Sequence, residues 1–233
     1  MLKLILAALM IFVQSSAAGT ILLRDNFKNM DNWRPLNFPK IKRHTEYRIA
    51  RNGANDSMLE ATAIASASGL ILKKTFSAYK YPLIRWRWKV SNIYKHGDAT
   101  LKNGDDYPAR IYLIFKYDPQ KSGFFEKALY KSAKLIYGEY PPVAALNYIW
   151  ANRKHSNRLL VSKYTSRSIM IPVEQGAEFA GQWRTEEVNI LDDYRAAFRK
   201  APPETVTLAI MSDADNTGDS ATSDFDFIEV GSE

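Results

Sequence analysis

The segment Ile84–Val90 constrains the fold most, because apolar and basic side chains alternate along it without interruption. In an extended strand, successive side chains point to opposite sides, so one face of this segment is apolar and the other basic. The apolar face consists of Ile84, Trp86, Trp88 and Val90, and the basic face of Arg85, Arg87 and Lys89. A helix would scatter both sets around its axis. The segment therefore predicts a strand of a sheet that is buried on one side only.

Similar short alternating segments recur along the chain, separated by turn residues. The further predicted strands are Thr20–Leu23, Glu46–Ala50, Met58–Ala63, Leu70–Phe76, Ala109–Tyr117, Ala145–Trp150, Ser168–Val173, Trp183–Asn189, Thr205–Met211 and Phe225–Val230. Helical spacing of apolar residues predicts two helices, Phe124–Tyr137 and Leu191–Lys200. This order of elements predicts an all-β fold, a two-sheet antiparallel β-sandwich of jelly-roll type with two short helical insertions.

The first residues have the pattern of a secretory signal peptide. Lys3 supplies a positive charge, Leu4–Val13 an apolar core and Ser16–Ala18 a small-residue cleavage site. The apolar run ends at Gln14, well short of the roughly 20 residues that a transmembrane helix needs. We therefore expect residues 1–18 to be removed and residues 19–233 to form a single domain, without a transmembrane segment, in the periplasm or outside the cell.

Charge and composition restrict the class of partner. A formal net charge of +7 favours anionic partners, but the basic residues are interleaved along the chain rather than clustered, which argues against nucleic-acid binding. The absence of cysteine excludes disulfides, thiol catalysis and cysteine-ligated metals. The three histidines lack the spacing of a zinc site, and no nucleotide-binding or flavin-binding fingerprint is present.

An acidic segment near the C-terminus resembles a calcium-binding loop. Counted from Asp213, oxygen-bearing side chains fall at positions 1, 3, 5, 7 and 12, and a glycine, Gly218, falls at position 6. The five candidate ligands are Asp213, Asp215, Thr217, Asp219 and Asp224. Position 12 normally holds a glutamate, and position 5 an aspartate or asparagine. The segment is therefore interpreted either as a structural Ca²⁺ site or as a solvated acidic turn.

A second polar segment, Gly104–Arg110, leads into a predicted strand. Its adjacent carboxylates, Asp105 and Asp106, point to opposite sides of an extended chain, and one of them could pair with Arg110 to anchor the loop. The alternative is contact with a ligand. A lyase acting on acidic sugars needs a cation and a proton-transferring side chain, for which Arg85, Arg87, Arg110, His96, Tyr107 and Tyr112 have the right chemistry. No spacing of carboxylates typical of a glycosidase is found.

The chain is rich in aromatic residues, with 5 Trp, 13 Tyr and 11 Phe. Aromatic rings pack against the apolar faces of sugars, so an aromatic sandwich face suits a glycan. Trp86 and Trp88 are predicted to lie in the core, whereas Trp33, Trp150 and Trp183 are compatible with either place. The candidate ligand-binding residues are Arg85, Arg87, Asp105, Asp106, Arg110, Tyr112 and Trp150.

Four ordered blocks resemble those of the bacterial domain of unknown function 3047 family. The blocks are Arg85–Val90, Gly104–Tyr112, Asn147–Ala151 and Ile210–Gly218, and Asp192–Phe198 fits the segment before the last block. The resemblance spans nearly all of residues 19–233. It implies an exported single-domain protein of β-sandwich type and does not imply a reaction.

Together these patterns favour an exported, monomeric or weakly associating β-sandwich protein that binds a carbohydrate or another, anionic, polymer of the cell envelope, with structural calcium as an open question. Two alternatives remain. The protein could be a polysaccharide lyase or glycosidase that uses the segment from Asp105 to Arg110, or a non-enzymatic scaffold or assembly protein of the envelope.

Overall fold

The computed structural model describes residues 19–51, 56–120 and 140–233, together with scattered positions between 123 and 134. The elements with continuous bounds among these residues are fourteen strands, a short 3-10 helix (Lys102–Gly104) and one α-helix, α1 (Ile190–Phe198). The strands are β1 (Ile21–Asp25), β2 (Trp33–Leu36), β3 (Glu46–Arg51), β4 (Ser57–Ile64), β5 (Ala67–Leu72), β6 (Phe76–Ser77), β7 (Leu83–Val90), β8 (Arg110–Phe115), β9 (Ala144–Ala151), β10 (Leu160–Val161), β11 (Ser168–Gln175), β12 (Arg184–Asn189), β13 (Thr205–Asp213) and β14 (Ser220–Gly231).

The strands form two sheets. Sheet 1 has the order β12-β7-β14-β4-β3, with β1 paired to β14, and sheet 2 has the order β10-β11-β9-β8-β13-β5-β2, with β6 paired to β13. The strand pairs are antiparallel except β9 and β11, which run parallel. The predicted all-β architecture of two mostly antiparallel sheets is thus confirmed.

The core lies between the sheets and is built largely from aromatic rings. Trp86 and Trp88 of β7 are fully buried, as predicted from the alternation of β7. They pack across the sandwich against β9, with ring centroids 5.5 Å apart for Trp86 and Tyr148 and 5.8 Å apart for Trp88 and Trp150. Burial of such large rings contributes substantial apolar area to the contact between the two layers.

The helix α1 confirms the second of the two predicted helices. It begins after Asn189, whose side chain accepts hydrogen bonds from the backbone N–H groups of Leu191 and Asp192, and it ends at Arg199 in the left-handed conformation. The first predicted helix, 124–137, falls on a segment of which only scattered positions are described. The predicted signal peptide, 1–18, lies outside the described residues. No helix among those residues is long and apolar enough to span a membrane.

The connection from β7 to β8, residues 91–109, folds over the outer face of sheet 2. Tyr107 and Ala99 from this connection pack with Ile149 and Met170 in a small apolar cluster on that face. Asn152 pins the connection from the end of β9: its Oδ1 accepts the backbone N–H of Tyr94 at 2.7 Å, and its Nδ2 donates to the Asp106 carbonyl at 2.7 Å. This connection therefore builds a wall at one end of sheet 2.

Candidate functional site

A cleft of about 690 Å³ opens on the outer face of sheet 2. Its walls come from the β2–β3, β7–β8, β10–β11 and β13–β14 connections. The apolar side chains that line it are Leu36, Phe38, Pro39, Ile41, Ala67, Tyr112, Ile114, Pro142, Ala145, Tyr164 and Met211. The polar side chains that line it are Lys40, Asp105, Arg110, Ser162, Thr165, Ser168, Asp213, Asp215 and Asn216. The cleft thus joins an apolar wall to a group of charged residues.

Strand alternation explains why these side chains reach the cleft. Arg110, Tyr112 and Ile114 are alternate residues of β8. The other side chains of this strand are fully buried in the core, namely Ile111, Leu113 and Phe115. Small residues on the neighbouring strands leave room above the sheet. Ala145 of β9 pairs with Ile114, and Ala67 of β5 pairs with Asp213 of β13. The outer face of sheet 2 is consequently concave where Tyr112 and Met211 emerge.

Arg110 and Asp213 form a buried ion pair in the cleft. Arg110 is 4% exposed, its Nε donates to Asp213 Oδ1 at 2.8 Å, and its Nη2 contacts Asp213 Oδ2. The same guanidinium lies 3.8 Å from Asp105 Oδ1 and 4.7 Å above the ring of Tyr107. The predicted contact between Arg110 and the acidic segment before it is therefore present, but the main partner of Arg110 is Asp213.

Asp106 anchors the turn between β13 and β14. Its Oδ2 accepts hydrogen bonds from the backbone N–H groups of Asn216 at 2.9 Å and Thr217 at 2.6 Å, and from the Thr217 hydroxyl at 2.8 Å. Its Oδ1 accepts one from Asn216 Nδ2 at 2.8 Å. Asp106 is fully buried, so it holds the turn in place and does not face a ligand.

Asp105 and Asp215 are the carboxyls with altered acidity in the cleft. Burial raises the pKa of Asp105, and the neighbouring Asp106 raises it further, against the opposing effects of Arg110 and Tyr107. The pKa of half-buried Asp215 is raised by burial and then by Asp106. Asp105 Oδ1 has no hydrogen-bond partner among the described residues. These two groups therefore hold a proton more readily than ordinary aspartates do.

Tyr164 forms the rim of the cleft and was not predicted as a site residue. Its hydroxyl lies 3.2 Å from the Lys102 carbonyl and 3.1 Å from Asn216 Oδ1, and its ring lies 5.0 Å from Lys102 Nζ. The side chain is half exposed. It connects three loops that are far apart in the sequence, which a local pattern could not reveal.

Two predicted ligand-binding residues, Arg85 and Arg87, lie on the outer face of sheet 1 and not with Arg110. Arg87 Nη1 pairs with Asp226 at 2.9 Å, and Arg85 Nε lies 3.9 Å from Glu187. The Arg87 guanidinium also stands 5.0 Å from the ring of Trp183. The structure thus divides the predicted set between two opposite faces of the sandwich.

The structure corrects the prediction for Trp150. This residue is fully buried in the core, where its Nε1 donates to the Gly176 carbonyl at 3.1 Å. It belongs to the inward-facing set of β9, so no ligand on either outer face can reach it. Trp33 is also buried, with its Nε1 donating to Asp25 Oδ2 at 2.9 Å.

The fold brings together two of the five predicted calcium ligands, Asp213 and Asp215, and places Asp224 on the other sheet. Asp213 belongs to β13 and is neutralised by Arg110, while the Thr217 hydroxyl donates to Asp106. Asp224 lies on the outer face of sheet 1, where Lys89 Nζ is 2.8 Å from its carboxylate. Asp219 lies apart from these, 4.0 Å from His96 Nδ1.

Asp213 and Asp215 form an acidic group with Asp106, in which one carboxylate oxygen of each residue lies within 4.8 Å of the others. In this group Asp106 and Asp213 already accept protein hydrogen bonds and Arg110 supplies a positive charge, so the donors fit a Ca²⁺ ion poorly. Gly218, predicted as the sharp-turn residue, does adopt a positive φ of 73°.

Comparison with solved structures finds similar chains at low sequence identity. A family 11 carbohydrate-binding module of a cellulosomal cellulase from Clostridium thermocellum is 11% identical, with a TM-score of 0.45, and the match covers 94% of this chain and 97% of that one. The winged bean acidic lectin is 10% identical, with a TM-score of 0.42 and coverage of 91% and 99%. The carbohydrate recognition domain of Emp47p is 12% identical, with a TM-score of 0.43 and coverage of 87% and 89%.

No curated protein matches the sequence. A family model does match, over residues 31–229, and these residues include all of the cleft. The matched family is described as a protein of unknown function, DUF3047. The chain therefore belongs to the DUF3047 family, as its ordered sequence blocks predicted.

Proposed function

We propose that the protein is an exported, monomeric carbohydrate-binding protein and that its ligand lies in the cleft on the outer face of sheet 2. The observation that carries the proposal is the combination of aromatic rings and enclosed polar groups in one concave surface. Tyr112 and Tyr164 supply the rings, and Asp105 and Asp215 supply hydrogen-bonding groups.

This combination matches the chemistry of a sugar. A pyranose ring has apolar C–H faces that pack on tyrosine rings, and its rim of hydroxyls needs hydrogen-bond partners. A volume of about 690 Å³ lies within the usual range for small-molecule sites, about 300–1,000 Å³. The cleft has room for a short stretch of oligosaccharide.

Binding can be tested directly on the mature protein. A glycan array should identify a retained oligosaccharide, and calorimetry should then measure its affinity. Tyr164→Ala and Tyr112→Ala should each weaken binding about tenfold, because each removes one stacking ring.

Trp183→Ala is the matched control, since it removes an aromatic ring from the outer face of sheet 1 and leaves the cleft intact. Failure of the array to retain any glycan would contradict the proposal. An equal loss of affinity in the Trp183 variant would place the ligand elsewhere.

Export is tested separately. The N-terminal sequence of the protein recovered from the periplasm or medium should begin at Gly19, after the small-residue site Ser16–Ala18. Recovery of the full chain with Met1 in the cytoplasm would contradict the exported part of the proposal. Size-exclusion chromatography with light scattering tests whether the protein is a monomer in solution.

A glycoside hydrolase is a second candidate, favoured by the raised pKa values of Asp105 and Asp215 in the cleft. Carboxyls of altered acidity that face a cleft are typical of acid–base catalysis on glycosides. Reducing ends released from the retained glycan by the wild-type protein, and lost in Asp105→Asn, would support hydrolysis. If the glycan stays intact over prolonged incubation, hydrolysis is contradicted and binding remains the proposed function.

A further inference from the structure

The charges around the cleft point to a ligand of a particular class. We propose that the cleft selects glycans without acidic groups and disfavours uronate chains, an inference that rests on the carbohydrate-binding function proposed above. It runs against the expectation from the net charge of +7, which favours anionic partners for the molecule as a whole.

The local charge differs from the net charge. Three carboxyls, Asp105, Asp213 and Asp215, line the cleft, and Asp106 lies directly behind them. The basic side chains that line it are Arg110 and Lys40. Carboxyls therefore outnumber cations at this surface.

Arg110 is not free to neutralise a ligand carboxylate. Its Nε donates to Asp213 at 2.8 Å, its Nη2 contacts the same carboxylate, and Nη2 also lies 3.3 Å from the Asp105 carbonyl. Taking Arg110 away from Asp213 would leave a buried carboxylate without its partner, which is costly. The Arg110 guanidinium therefore neutralises Asp213 rather than a ligand carboxylate.

The remaining cations are solvated. Lys40 is exposed at one wall, and Lys102 is exposed at the rim beside Tyr164. Exposed charges are screened by water and salt over a distance of about 8–10 Å. The enclosed carboxyls act on a bound ligand through a medium of lower dielectric constant, so their repulsion is felt more strongly than the attraction of these lysines.

The protein's own carboxyls respond to this environment. The pKa of Asp215 is raised by burial, then by Asp106, and also by Asp105. The same two conditions, loss of water and nearby negative charge, would act on a uronate carboxylate placed in the cleft. A hydroxymethyl group at that position carries no charge, so these two conditions do not disfavour a neutral sugar in the same way.

The test measures the affinity of the mature protein for matched pairs of hexasaccharides at physiological salt. Each pair consists of a neutral chain of the gluco, manno or galacto series and its C6-oxidised uronate counterpart. We expect the neutral member of the best-bound pair to bind at least about tenfold more tightly than its uronate. Raising the salt concentration should narrow the difference in affinity between the neutral chain and its uronate. A uronate that binds as tightly as its neutral partner, or more tightly, would overturn the inference while leaving carbohydrate binding intact. Retention of none of the sugars would instead overturn the carbohydrate-binding proposal itself.

A pair of variants assigns the selectivity to the cleft. Asp215→Asn removes one negative charge from the lining but keeps a side chain that can hydrogen-bond a sugar, so it should raise the affinity for the uronate about fivefold relative to the affinity for the neutral chain. Glu187→Gln removes the same charge from the outer face of sheet 1, where Glu187 is exposed, and should leave both affinities unchanged. An equal gain in both variants would show that net charge, and not the cleft, sets the preference, and would overturn the inference.

Discussion

The two outer faces of the sandwich both carry charged groups but arrange them differently. On sheet 1 the ion pairs join neighbouring strands across an open surface, as in Arg87–Asp226 and Arg85–Glu187. On sheet 2 the connections between strands rise around the sheet, and the ion pair between Arg110 and Asp213 is enclosed by them.

The difference shows why the basic stripe of β7 was a poor guide to the site. A cation on an open sheet pairs with an acid on the next strand and remains in water, where such a pair contributes little. An enclosed charge has to be held by specific partners and alters its surroundings. The enclosed set on sheet 2 is therefore the better candidate for a functional site.

The largest expected effect that separates the two faces comes from removing one arginine from each. Arg110→Met should destabilise the protein by about 3–5 kcal/mol, because it leaves Asp213 buried without its partner. Arg87→Met should cost less than about 1 kcal/mol, because its pair with Asp226 is partly exposed. Unfolding in urea measures both.

A double variant tests whether the loss of stability in Arg110→Met comes from the unpaired Asp213 carboxylate. Arg110→Met combined with Asp213→Leu removes both buried charges and should recover much of the loss, since an apolar pair of similar size replaces the ion pair. Equal costs for the two single arginine variants would show that the faces do not differ in this respect.

A smaller effect on stability is expected at the edge between the sheets, where two carboxyls lie close together and do not each have a cation as partner. Burial and the nearby Glu174 raise the pKa of Glu186 on β12 to about 7, while the Trp88 indole and Arg184 oppose this. Because the folded protein binds this proton more tightly than the unfolded chain does, the contribution of Glu186 to stability is fully present below the ordinary glutamate range. It is lost as the pH rises through about 7.

Glu186→Gln should therefore stabilise the protein above pH 7 by an amount of the order of 1 kcal/mol after allowance for partial exposure to water. The gain should fade towards pH 4, and thermal unfolding across this range measures it. Glu187→Gln, one residue along on the open face, is the control and should show no such pH dependence. A pH-independent gain in the Glu186 variant would argue against the raised pKa.

Local periodicity was sufficient to predict most of the strands and the buried face of β7, because alternation is written in consecutive residues. It missed β2, a four-residue edge strand that contains Pro35, and β10, which has two residues. Proline weakens the strand pattern although an edge strand tolerates it. The segment predicted as Leu70–Phe76 is divided between β5 and β6.

The candidate site was harder to predict because its parts are brought together by strand pairing. Arg110 meets Asp213 only because β8 lies beside β13, with Arg110 opposite Met211. Nothing in the local sequence of either segment specifies that pairing. Tyr164 enters the site from a third loop, so its role depends on the complete fold.

The smallest effect is expected from calcium, and it tests whether the oxygens of Asp106 and Asp213 are already occupied by partners within the protein. Asp213 is paired with Arg110, and Asp106 accepts hydrogen bonds from Asn216 and Thr217, so an added cation would have to displace these partners. Millimolar calcium, compared with a chelator, should shift the midpoint of thermal unfolding by less than about 1 °C, because an ion that binds only weakly to the folded state stabilises it little. A stabilisation of several degrees that Asp215→Asn abolishes would show instead that calcium binds within the cleft. The charge of the cleft would then be set by the ion, and its preference for neutral sugars would have to depend on calcium concentration.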